Sequence, residues 1–345
     1  MNDELSIIEQ VPLSPEIASA MATARDLAES SRSQNTRDNY RSGWNQFLRY
    51  CREHHPTHST LPAQPAMVAL YLGWLRDQGR VAQTLRARSA AIAFYHRQAE
   101  LHSPCDHKFV KDVLEGASRK DAGREHGRAT VTLDDLEKLL LRLPAPKTLL
   151  DKRDLAITLL TFSTSRRRSE IAALDLSHLD FNRREFLFIR IAKSKSDQRG
   201  IGMNVGVPRL AEPLRRACAV RAIEDWLDSA GMRVAGTVVA SGPLFRVFSI
   251  DGEMQNHRIE PRVVAAVLKK LYTKAGFTKE HIKTIAAHSL RRGFITSADA
   301  AGSTAAEIMA VTGHRDRRML DRYTTHDKTK NPPLLRMFDE QSRSS

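Results

Sequence analysis

Four short segments in the second half of the chain gather arginine, lysine and histidine around one tyrosine. They are RRRSE at 166–170, KSK at 193–195, HSLRR at 288–292 and GHRDRRMLDRY at 313–323. Forked guanidinium groups neutralise the non-bridging oxygens of a phosphate, and histidine and lysine side chains transfer protons. A tyrosine hydroxyl within such a cluster is suited to act as a nucleophile. These residue types therefore indicate phosphoryl transfer that needs no metal ion.

Each of these segments has a structural interpretation when it is taken alone. A run of arginines usually marks a solvated helix face, and a single histidine or tyrosine more often makes a structural hydrogen bond than performs a reaction. The arginine run, however, directly follows the apolar stretch Asp154 to Phe162, which is typical of a buried helix. This position and the joint occurrence of all four segments favour the chemical interpretation.

The charge balance indicates a polyanionic partner. Lysine and arginine (54) exceed aspartate and glutamate (40), which gives a net charge of +14 and a pI near 10.0. Such an excess attracts nucleic acid above all, with an anionic membrane surface as the alternative. Residues 1–30 differ, because their six acidic residues and one basic residue would be repelled by a polyanion.

The composition is that of an ordinary globular protein, with 41% hydrophobic and 27% charged residues. Its three cysteines, Cys51, Cys105 and Cys218, have no spacing that predicts disulfides or a structural zinc site. No run of about 18 apolar residues occurs, and the acidic start of the sequence lacks the pattern of a secretory leader. We therefore expect a cytoplasmic protein without a membrane partner.

A length of 345 residues predicts two domains, since single domains usually stop growing below it. The predicted organisation is a disordered acidic tail, a helical domain, a linker, a larger second domain and a C-terminal segment, at residues 1–30, 31–117, 118–129, 130–330 and 331–345. The linker SRKDAGREHGRA has no large apolar residue and separates two helical patterns.

Hydrophobic periodicity predicts helices throughout the first domain, at residues 34–54, 65–78, 84–100 and 108–117. In the second domain, Thr132 and Asp135 form a capping-box pattern that marks a helix start. Residues 185–191 and 200–207 have strand-like patterns, and KSKSDQR between them is the predicted hairpin loop. The expected fold class is mainly α with a small antiparallel sheet, with an all-helical N-terminal domain and a mixed α/β second domain.

The end of the second domain resembles the signature of the tyrosine site-specific recombinases, the phage integrase family. In HSLRRGFITSADAAGSTAAEIMAVTGHRDRRMLDRY, Arg291 follows His288 by three residues and His314 follows Arg291 by 23. Tyr323 follows His314 by nine. These intervals fit the family pattern of H-x-x-R, then G-H, then tyrosine. The resemblance extends from about residue 31 onward and implies a core-binding domain followed by a tyrosine-recombinase catalytic domain.

The resemblance also implies the reaction. Tyr323 is expected to attack a scissile phosphate of duplex DNA and to form a 3′-phosphotyrosine. Arg167, Arg291 and His314 are expected to stabilise the charge that develops on the phosphate. The resemblance implies no metal. Because one phosphodiester is exchanged for another ester of similar energy, strand exchange needs neither ATP nor a nicotinamide, and no cofactor is implied.

Three further residues are implied as helpers of this reaction. Lys195 is expected to protonate the leaving oxygen and His288 to assist proton transfer. Lys193 lies in the same predicted hairpin loop and is the alternative to Lys195. Glu170 is expected to orient a neighbouring catalytic group.

The assignment of the first arginine depends on the register through the run at 166–168. Arg166 and Arg168 are the alternatives to Arg167. Arg167 and Glu170 are three residues apart, so on a helix they share one face and the carboxylate can orient its neighbour. This spacing favours Arg167.

We predict that DNA contacts come from basic residues of the linker, of helix 84–100 and of the hairpin loop, namely Arg119, Lys120, Arg124, Arg86, Arg88 and Lys193. The family resemblance implies double-stranded DNA with a paired inverted-repeat recombination site as the partner. It also implies a homotetramer on two DNA sites, in which residues 331–345 form an exchange helix that reaches a neighbouring protomer. A nucleoid-associated protein encoded by a bacterium or a phage is expected.

Two other classes of protein deserve comparison. A type IB topoisomerase or a telomere resolvase uses similar chemistry, and a DNA-binding relative can keep the fold without activity. The helical N-terminal domain and the length favour recombination, and the intact residue set argues against an inactive relative. A denaturant-stable adduct with DNA distinguishes the enzymes from the inactive relative.

Overall fold

The structure is a computed structural model and describes residues 14–30, 34–122, 129–192, 202–212, 214–314 and 316. The chain divides into two compact units, residues 1–125 and 126–345. Within the described residues, thirteen α-helices accompany seven short strands, all paired antiparallel. The predicted fold class, mainly helical with small antiparallel sheet structure, is confirmed.

The first unit is helical throughout its described residues. Its α-helices are α1 (Pro15–Ser30), α2 (Gln34–His54), α3 (Pro65–Asp77), α4 (Ala82–Gln98) and α5 (Lys108–Asp121). Aromatic rings fill the core where α2 meets α3, and the buried rings of Phe47 and Tyr71 lie 5.2 Å apart between centroids. Helix α4 packs closely on α2, because Gly43 has no Cβ to collide with Ala91.

The prediction of a disordered tail over residues 1–30 is wrong for Pro15–Ser30, which form α1. This segment contains five alanines, the residue with the highest helix propensity. Ser14 caps the start of the helix, since its hydroxyl accepts a hydrogen bond from the Ile17 amide at 3.4 Å. Net charge was therefore a poorer guide here than alanine content. Residues 1–13 lie outside the described part of the chain.

The predicted linker also begins too early, because α5 continues to Asp121. The Asp121 carboxylate accepts hydrogen bonds from the Arg76 guanidinium at 2.8 Å and from the Ala82 amide at 2.6 Å. These bonds fix the last turn of α5 to the end of α3 and the start of α4. Of the predicted linker 118–129, residues 123–128 lie outside the described residues.

The second unit combines eight α-helices with three small sheets in its described residues. The helices are α6 (Leu133–Arg142), α7 (Leu149–Thr164), α8 (Arg168–Ala172), α9 (Ala219–Ser229), α10 (Pro261–Lys274), α11 (Lys279–Thr284), α12 (Ala287–Ala300) and α13 (Ala305–Thr312). The strands are β1 (Leu179–Arg183), β2 (Phe186–Ile191), β3 (Met203–Pro208), β4 (Arg233–Val234), β5 (Thr237–Val238), β6 (Arg246–Phe248) and β7 (Met254–Arg258). The capping box of Thr132 and Asp135 at the start of α6 is confirmed.

Helix α7 lies at the centre of the second unit. It packs against α9, α10 and α12, and Ile157, Leu159 and Leu160 are buried on different sides of it. A helix that is apolar all round is stable only when other elements surround it. The predicted buried helix is confirmed, and its C-terminus delivers the arginine run into the interior of this unit.

The two predicted strands form a hairpin, with bounds that differ by at most three residues. In the antiparallel sheet β1-β2-β3, Leu187 faces Val207 and Ile189 faces Val205. All four side chains are buried, so the alternation of the sequence points one face of the sheet into the core. The hairpin loop 193–201 lies outside the described residues.

The segment at 129–133 runs along α12, which carries two of the candidate catalytic residues. The Val131 amide donates to the Ser289 carbonyl at 3.1 Å, and the Leu133 amide donates to the Ser297 hydroxyl at 2.9 Å. Gly293 permits this approach, because a Cβ at that position would lie 1.5 Å from the Val131 carbonyl oxygen. The backbone of this segment therefore fixes where α12 lies.

We expect Gly293→Ala to destabilise the second unit. The new methyl group must displace the Val131 carbonyl, and overpacking of this kind costs about 1–3 kcal/mol. Urea unfolding of the full chain measures the effect. The matched control is Gly116→Ala in α5, where a Cβ meets nothing within 4 Å and the substitution should be neutral or stabilising. An unchanged unfolding midpoint for Gly293→Ala would contradict the packing described here.

Candidate active site

The turn between α7 and α8 brings the arginine run into the protein. Ser165 ends α7 in the left-handed conformation, with φ at +52°, and the chain reverses there. Arg166 then points into the interior and is 1% exposed, Arg167 caps the start of α8, and Arg168 is exposed to solvent. Three consecutive arginines thus lie in three different environments.

Arg167 is paired with Glu170 as the sequence predicted. One carboxylate oxygen accepts a hydrogen bond from the Arg167 amide at 3.1 Å, and the other accepts one from its guanidinium at 2.9 Å. Glu170 is buried, whereas 28% of the Arg167 side chain is exposed. The carboxylate therefore orients a guanidinium that still reaches solvent, where a phosphate can approach it.

Arg291 connects three distant parts of the second unit. It lies in α12 and is 1% exposed. Its guanidinium donates to the carbonyl of Ser165 at 2.5 Å and contacts His314 Nε2 at 2.8 Å. The end of α7, the first half of α12 and the turn after α13 thus meet at one side chain.

His314 follows Gly313, which ends α13 in the left-handed conformation with φ at +67°. The His314 ring contacts Arg291 through Nε2 and the buried Thr312 hydroxyl through Nδ1, the latter at 2.8 Å. Arginine has no acceptor, so Nε2 must accept the bond from Arg291. A neutral His314 therefore carries its proton on Nδ1 and donates it to Thr312.

Both histidines of the site have lowered pKa values. Burial, and then the positive charge of Arg291, lower the pKa of His314 from 6.5 to about 4. The protein packed around His288, and then the charges of Arg291 and Arg292, lower the pKa of His288 in the same direction. Both rings are consequently neutral at pH 7, although His288 reaches the surface near the start of α12.

Arg166 is a residue of this site whose burial the sequence did not predict. Its guanidinium contacts the Met203 sulfur at 3.1 Å, and one of its nitrogens lies 4.0 Å from Glu170. It also faces Gly313, where a Cβ would lie 3.1 Å from it. The three-residue spacing to Glu170 predicted Arg167, and not Arg166, as the partner of that carboxylate. The same spacing does not indicate which of the two arginine side chains is buried.

This arrangement is suited to bind a phosphate. Guanidinium groups and neutral histidines converge on one region, and Glu170 pairs with only part of their charge. An anion that enters the region gains hydrogen bonds and offsets the repulsion between the cations.

The structure brings together five of the seven predicted catalytic residues, namely Arg167, Glu170, His288, Arg291 and His314. Tyr323 and Lys195 lie outside the described residues, as does the alternative Lys193. Sequence reasoning missed Thr312, which holds the His314 ring, and Met203, which contacts Arg166. Thr312 precedes the G-H pair of the motif, a position that could have drawn notice.

The predicted DNA-binding residues of the first unit lie on α4 and α5. Arg86 donates to the Ser118 hydroxyl at 2.9 Å, next to the exposed Arg119 and Lys120. Arg88 is only half-buried and packs beside Gly43 on α2. Arg124 and Lys193 lie beyond the described residues.

The part of the chain that the structure describes has neither a metal-binding cluster nor a membrane-spanning helix. No group of three or more histidine, cysteine, aspartate or glutamate side chains in it is arranged to hold a metal ion. None of its helices is both long and apolar enough to span a bilayer.

Comparison with protein families places matches in both units. Residues 130–330 match the family described as Phage integrase family, and residues 24–100 match the family described as Phage integrase, N-terminal SAM-like domain. The first of these matches spans more than half of the 345 residues.

Related proteins are similar along most of the chain. An integrase/recombinase XerD homolog of Selenomonas ruminantium is 32% identical over 92% of this chain and 89% of its own length. A tyrosine recombinase XerC of Syntrophus aciditrophicus is 26% identical over 86% of this chain and 88% of its own.

The length and layout of the chain also predict a particular likeness to the Cre recombinase, and this finer prediction is not supported. Recombinase Cre of Escherichia phage P1 is 21% identical over 99% of both chains, a lower identity than that of the XerD homolog. The XerD homolog also matches over most of both chains, so length and layout do not distinguish between these relatives.

Solved structures share the fold at low sequence identity. The Tn1549 transposon integrase in complex with circular intermediate DNA has a TM-score of 0.59 and 16% identity, over 94% of this chain and 98% of its own. A lambda integrase dimer bound to a COC' core site has a TM-score of 0.58 and 14% identity, over 96% of this chain and 85% of its own.

The lowered pKa of His314 predicts acid sensitivity. The folded pKa of about 4 lies below the ordinary 6.5, so between these values the unfolded chain binds more protons than the folded one. The contribution of the neutral His314 to the free energy of unfolding is therefore fully present above about pH 6.5. It is lost as the pH decreases toward 4. In His314→Gln, whose amide can keep both hydrogen bonds without titrating, the urea midpoint should fall less between pH 7 and pH 4.5. The exposed His257→Gln is the control, and equal slopes in all three proteins would refute a buried neutral His314.

Proposed function

The chain belongs to the phage integrase family and is a site-specific tyrosine recombinase, an enzyme that breaks and rejoins DNA, and we propose that Tyr323 is its nucleophile. The phosphate that Tyr323 attacks binds at the cluster around Arg291. The relatives are named recombinases and integrases, which favours recombination over the topoisomerase and resolvase alternatives. The single observation that carries the site is the double contact of the Arg291 guanidinium with Ser165 and His314.

In the proposed cleavage step, the Tyr323 oxygen forms a bond to phosphorus while the bond from phosphorus to the 5′ oxygen breaks. The products are a 3′-phosphotyrosine and a free 5′ hydroxyl. His288 is the proposed acceptor of the tyrosine proton, supported by its lowered pKa, which leaves the ring neutral at pH 7. Lys195 is the proposed donor of a proton to the leaving 5′ oxygen. The reverse reaction with another 5′ hydroxyl rejoins the strand.

Arg167, Arg291 and His314 are proposed to hold the non-bridging oxygens of the phosphate. Arg167 has a fixed guanidinium that is partly exposed, which supports a direct contact. His314 accepts a hydrogen bond in the DNA-free structure and has to donate one to a phosphate oxygen. The negative charge of a bound phosphate offsets the arginine charges and raises the pKa of His314, which supplies the proton for that bond. Glu170 positions Arg167 throughout.

Both units contribute basic residues. We assign DNA contacts to the six residues predicted from the sequence, namely Arg86, Arg88, Arg119, Lys120, Arg124 and Lys193. Support comes from α4 and α5, where Arg86 bonds to the Ser118 hydroxyl and Arg119 and Lys120 are exposed to solvent. We assign residues 31–121 to DNA core binding, 122–129 to the linker and 130–330 to catalysis. The protein works on DNA in the cytoplasm of a bacterium, where its gene is bacterial or phage-derived.

The proposed assembly is a homotetramer that holds two duplexes, each with a paired inverted-repeat site. The lambda integrase has been solved as a dimer bound to a core site and as a tetramer bound to a Holliday junction. A closed cyclic arrangement gives each protomer one neighbour to which its C-terminal segment can be passed. Residues 331–345 fit this role because Leu334, Leu335, Met337 and Phe338 crowd apolar surface into a segment too short to fold alone.

We expect Tyr323→Phe to abolish covalent attachment to DNA and to leave binding nearly intact, because the hydroxyl is the nucleophile and adds little to affinity. The wild-type chain is incubated with random-sequence duplexes, and DNA that remains attached in denaturant is sequenced. This captured site is then offered to the variant in a denaturing gel and in a mobility-shift assay. An adduct that persists in Tyr323→Phe would remove Tyr323 from the proposed role.

We expect a chain that ends at Lys330 to bind one captured site but not to pair two. Without Leu334, Leu335 and Phe338 the protomers lose the proposed contact, while the catalytic residues remain. Native gels with two differently labelled duplexes detect the paired complex. A chain with Leu334 and Leu335 both changed to Ser is the full-length counterpart and should behave alike. Normal recombination by the shortened chain would show that the segment docks on its own protomer or has no role in assembly.

A further inference from the structure

One cation of the active site has no role in the proposed reaction. Arg166 is buried in the same region as Arg291, beside Arg167, and only 1% of it is exposed. It faces Glu170 of α8, Met203 at the start of β3 and Gly313 at the end of α13. Glu170 pairs with Arg167. Met203 follows the loop segment that contains Lys195, and Gly313 precedes His314.

The contacts of Arg166 are weak for a buried charge. One guanidinium nitrogen donates to the Thr164 carbonyl at 3.2 Å, and a second contacts the Met203 sulfur at 3.1 Å, which is a poor acceptor. The Glu170 carboxylate lies 4.0 Å away and already holds Arg167. The third nitrogen is buried and has no hydrogen-bond partner within the described residues.

Stability alone does not account for an arginine in this environment. A buried charge is unfavourable unless close partners satisfy it, and an apolar side chain of similar volume is often as stable or more stable. The neighbouring Met203 sulfur and the core side of β3 would suit such a residue. The guanidinium therefore lies here at a stability disadvantage, which is expected of a group that serves a reaction.

We propose that Arg166 is a positioning residue that holds the start of β3 and the turn at Gly313 against the Arg167–Glu170 pair. Met203 is the first residue of β3, the strand that returns from the hairpin loop carrying Lys195. Gly313 directly precedes His314, and its missing Cβ is what lets the guanidinium lie against the turn. One side chain thus sets the relative places of the start of β3, the phosphate-binding histidine and the first arginine. The inference rests on the proposed function of these residues.

The test compares Arg166→Met with Arg168→Met, the exposed neighbour from the same run. The DNA probe is the duplex captured on the wild-type chain. In Arg166→Met we expect unchanged binding in mobility shifts and an unchanged or higher urea midpoint. Adduct formation should be about 10- to 100-fold slower, which is the range for loss of a group that orients an active-site side chain. Arg168→Met should match the wild type in all three. Adduct formation by Arg166→Met at the wild-type rate would overturn the proposal. A lower urea midpoint together with adduct formation that recovers at lower temperature would overturn it as well.

A second probe separates positioning from direct contact with the phosphate. The same duplex is made with a methylphosphonate at the scissile position, which removes the negative charge that a phosphate-binding arginine neutralises. Arg167→Met, a proposed direct ligand, should lose less on this neutral duplex than on the normal one. Arg166→Met should lose the same factor on both. A defect that disappears on the methylphosphonate would make Arg166 the phosphate ligand and would shift the register of the run by one residue.

Amide hydrogen exchange tests the positioning without DNA. In Arg166→Met, exchange should become faster at residues 203–208 and at Gly313 but not in α7 or α9, whereas a general loss of stability speeds exchange everywhere. Unchanged exchange at β3 and Gly313 would overturn the inference even if catalysis were impaired. If the wild-type chain captured no DNA at all, the proposed function would fail, and this measurement would still decide what Arg166 holds in place.

Discussion

The contact of Arg291 with Ser165 and His314 is the interaction on which the rest of the site depends. It joins residues that are 126 and 23 positions apart in the chain, inside a unit whose backbone has to fit around it. The carbonyl of Ser165 is available because the backbone turns left-handed there and ends α7. The position of α12 is set in turn by the backbone at Val131, which Gly293 allows to approach. The absence of a side chain at Gly293 and the left-handed backbone at Ser165 thus both help to place the Arg291 guanidinium.

The second constraint is electrostatic. Arg166, Arg167 and Arg291 concentrate positive charge in a buried region, and Glu170 balances only part of it. Burial together with these charges keeps His314 and His288 neutral. In the proposed function, the charge of a bound phosphate raises the pKa of His314, while His288 stays neutral and can accept a proton.

The comparison of the two units shows where local signals succeed. Capping boxes, the buried helix α7 and the alternation of β2 and β3 were predictable because each depends on residues close in sequence. The errors had separate origins. The tail was judged by its charge, although alanines and the Ser14 cap determine α1, and the linker was begun too early because Asp121 is held by Arg76 and Ala82 from a different part of the chain. The prediction of a particular likeness to Cre depended on length and domain layout, which the XerD homolog shares.

The sequence by itself determined the family and indicated the proposed chemistry and most of its proposed participants. The intervals between His288, Arg291, His314 and Tyr323 are fixed by the chain itself. The pairing of Arg167 with Glu170 joins residues three positions apart, so it too could be predicted from the sequence. Only the tertiary structure decided which of three adjacent arginines is buried, which nitrogen of His314 carries the proton, and that the Ser165 carbonyl receives Arg291. These features arise from contacts between segments far apart in sequence, where burial and hydrogen-bond partners are set by the packing of whole elements. Periodicity and spacing report only on neighbours along the chain, and so they carry no information about such contacts.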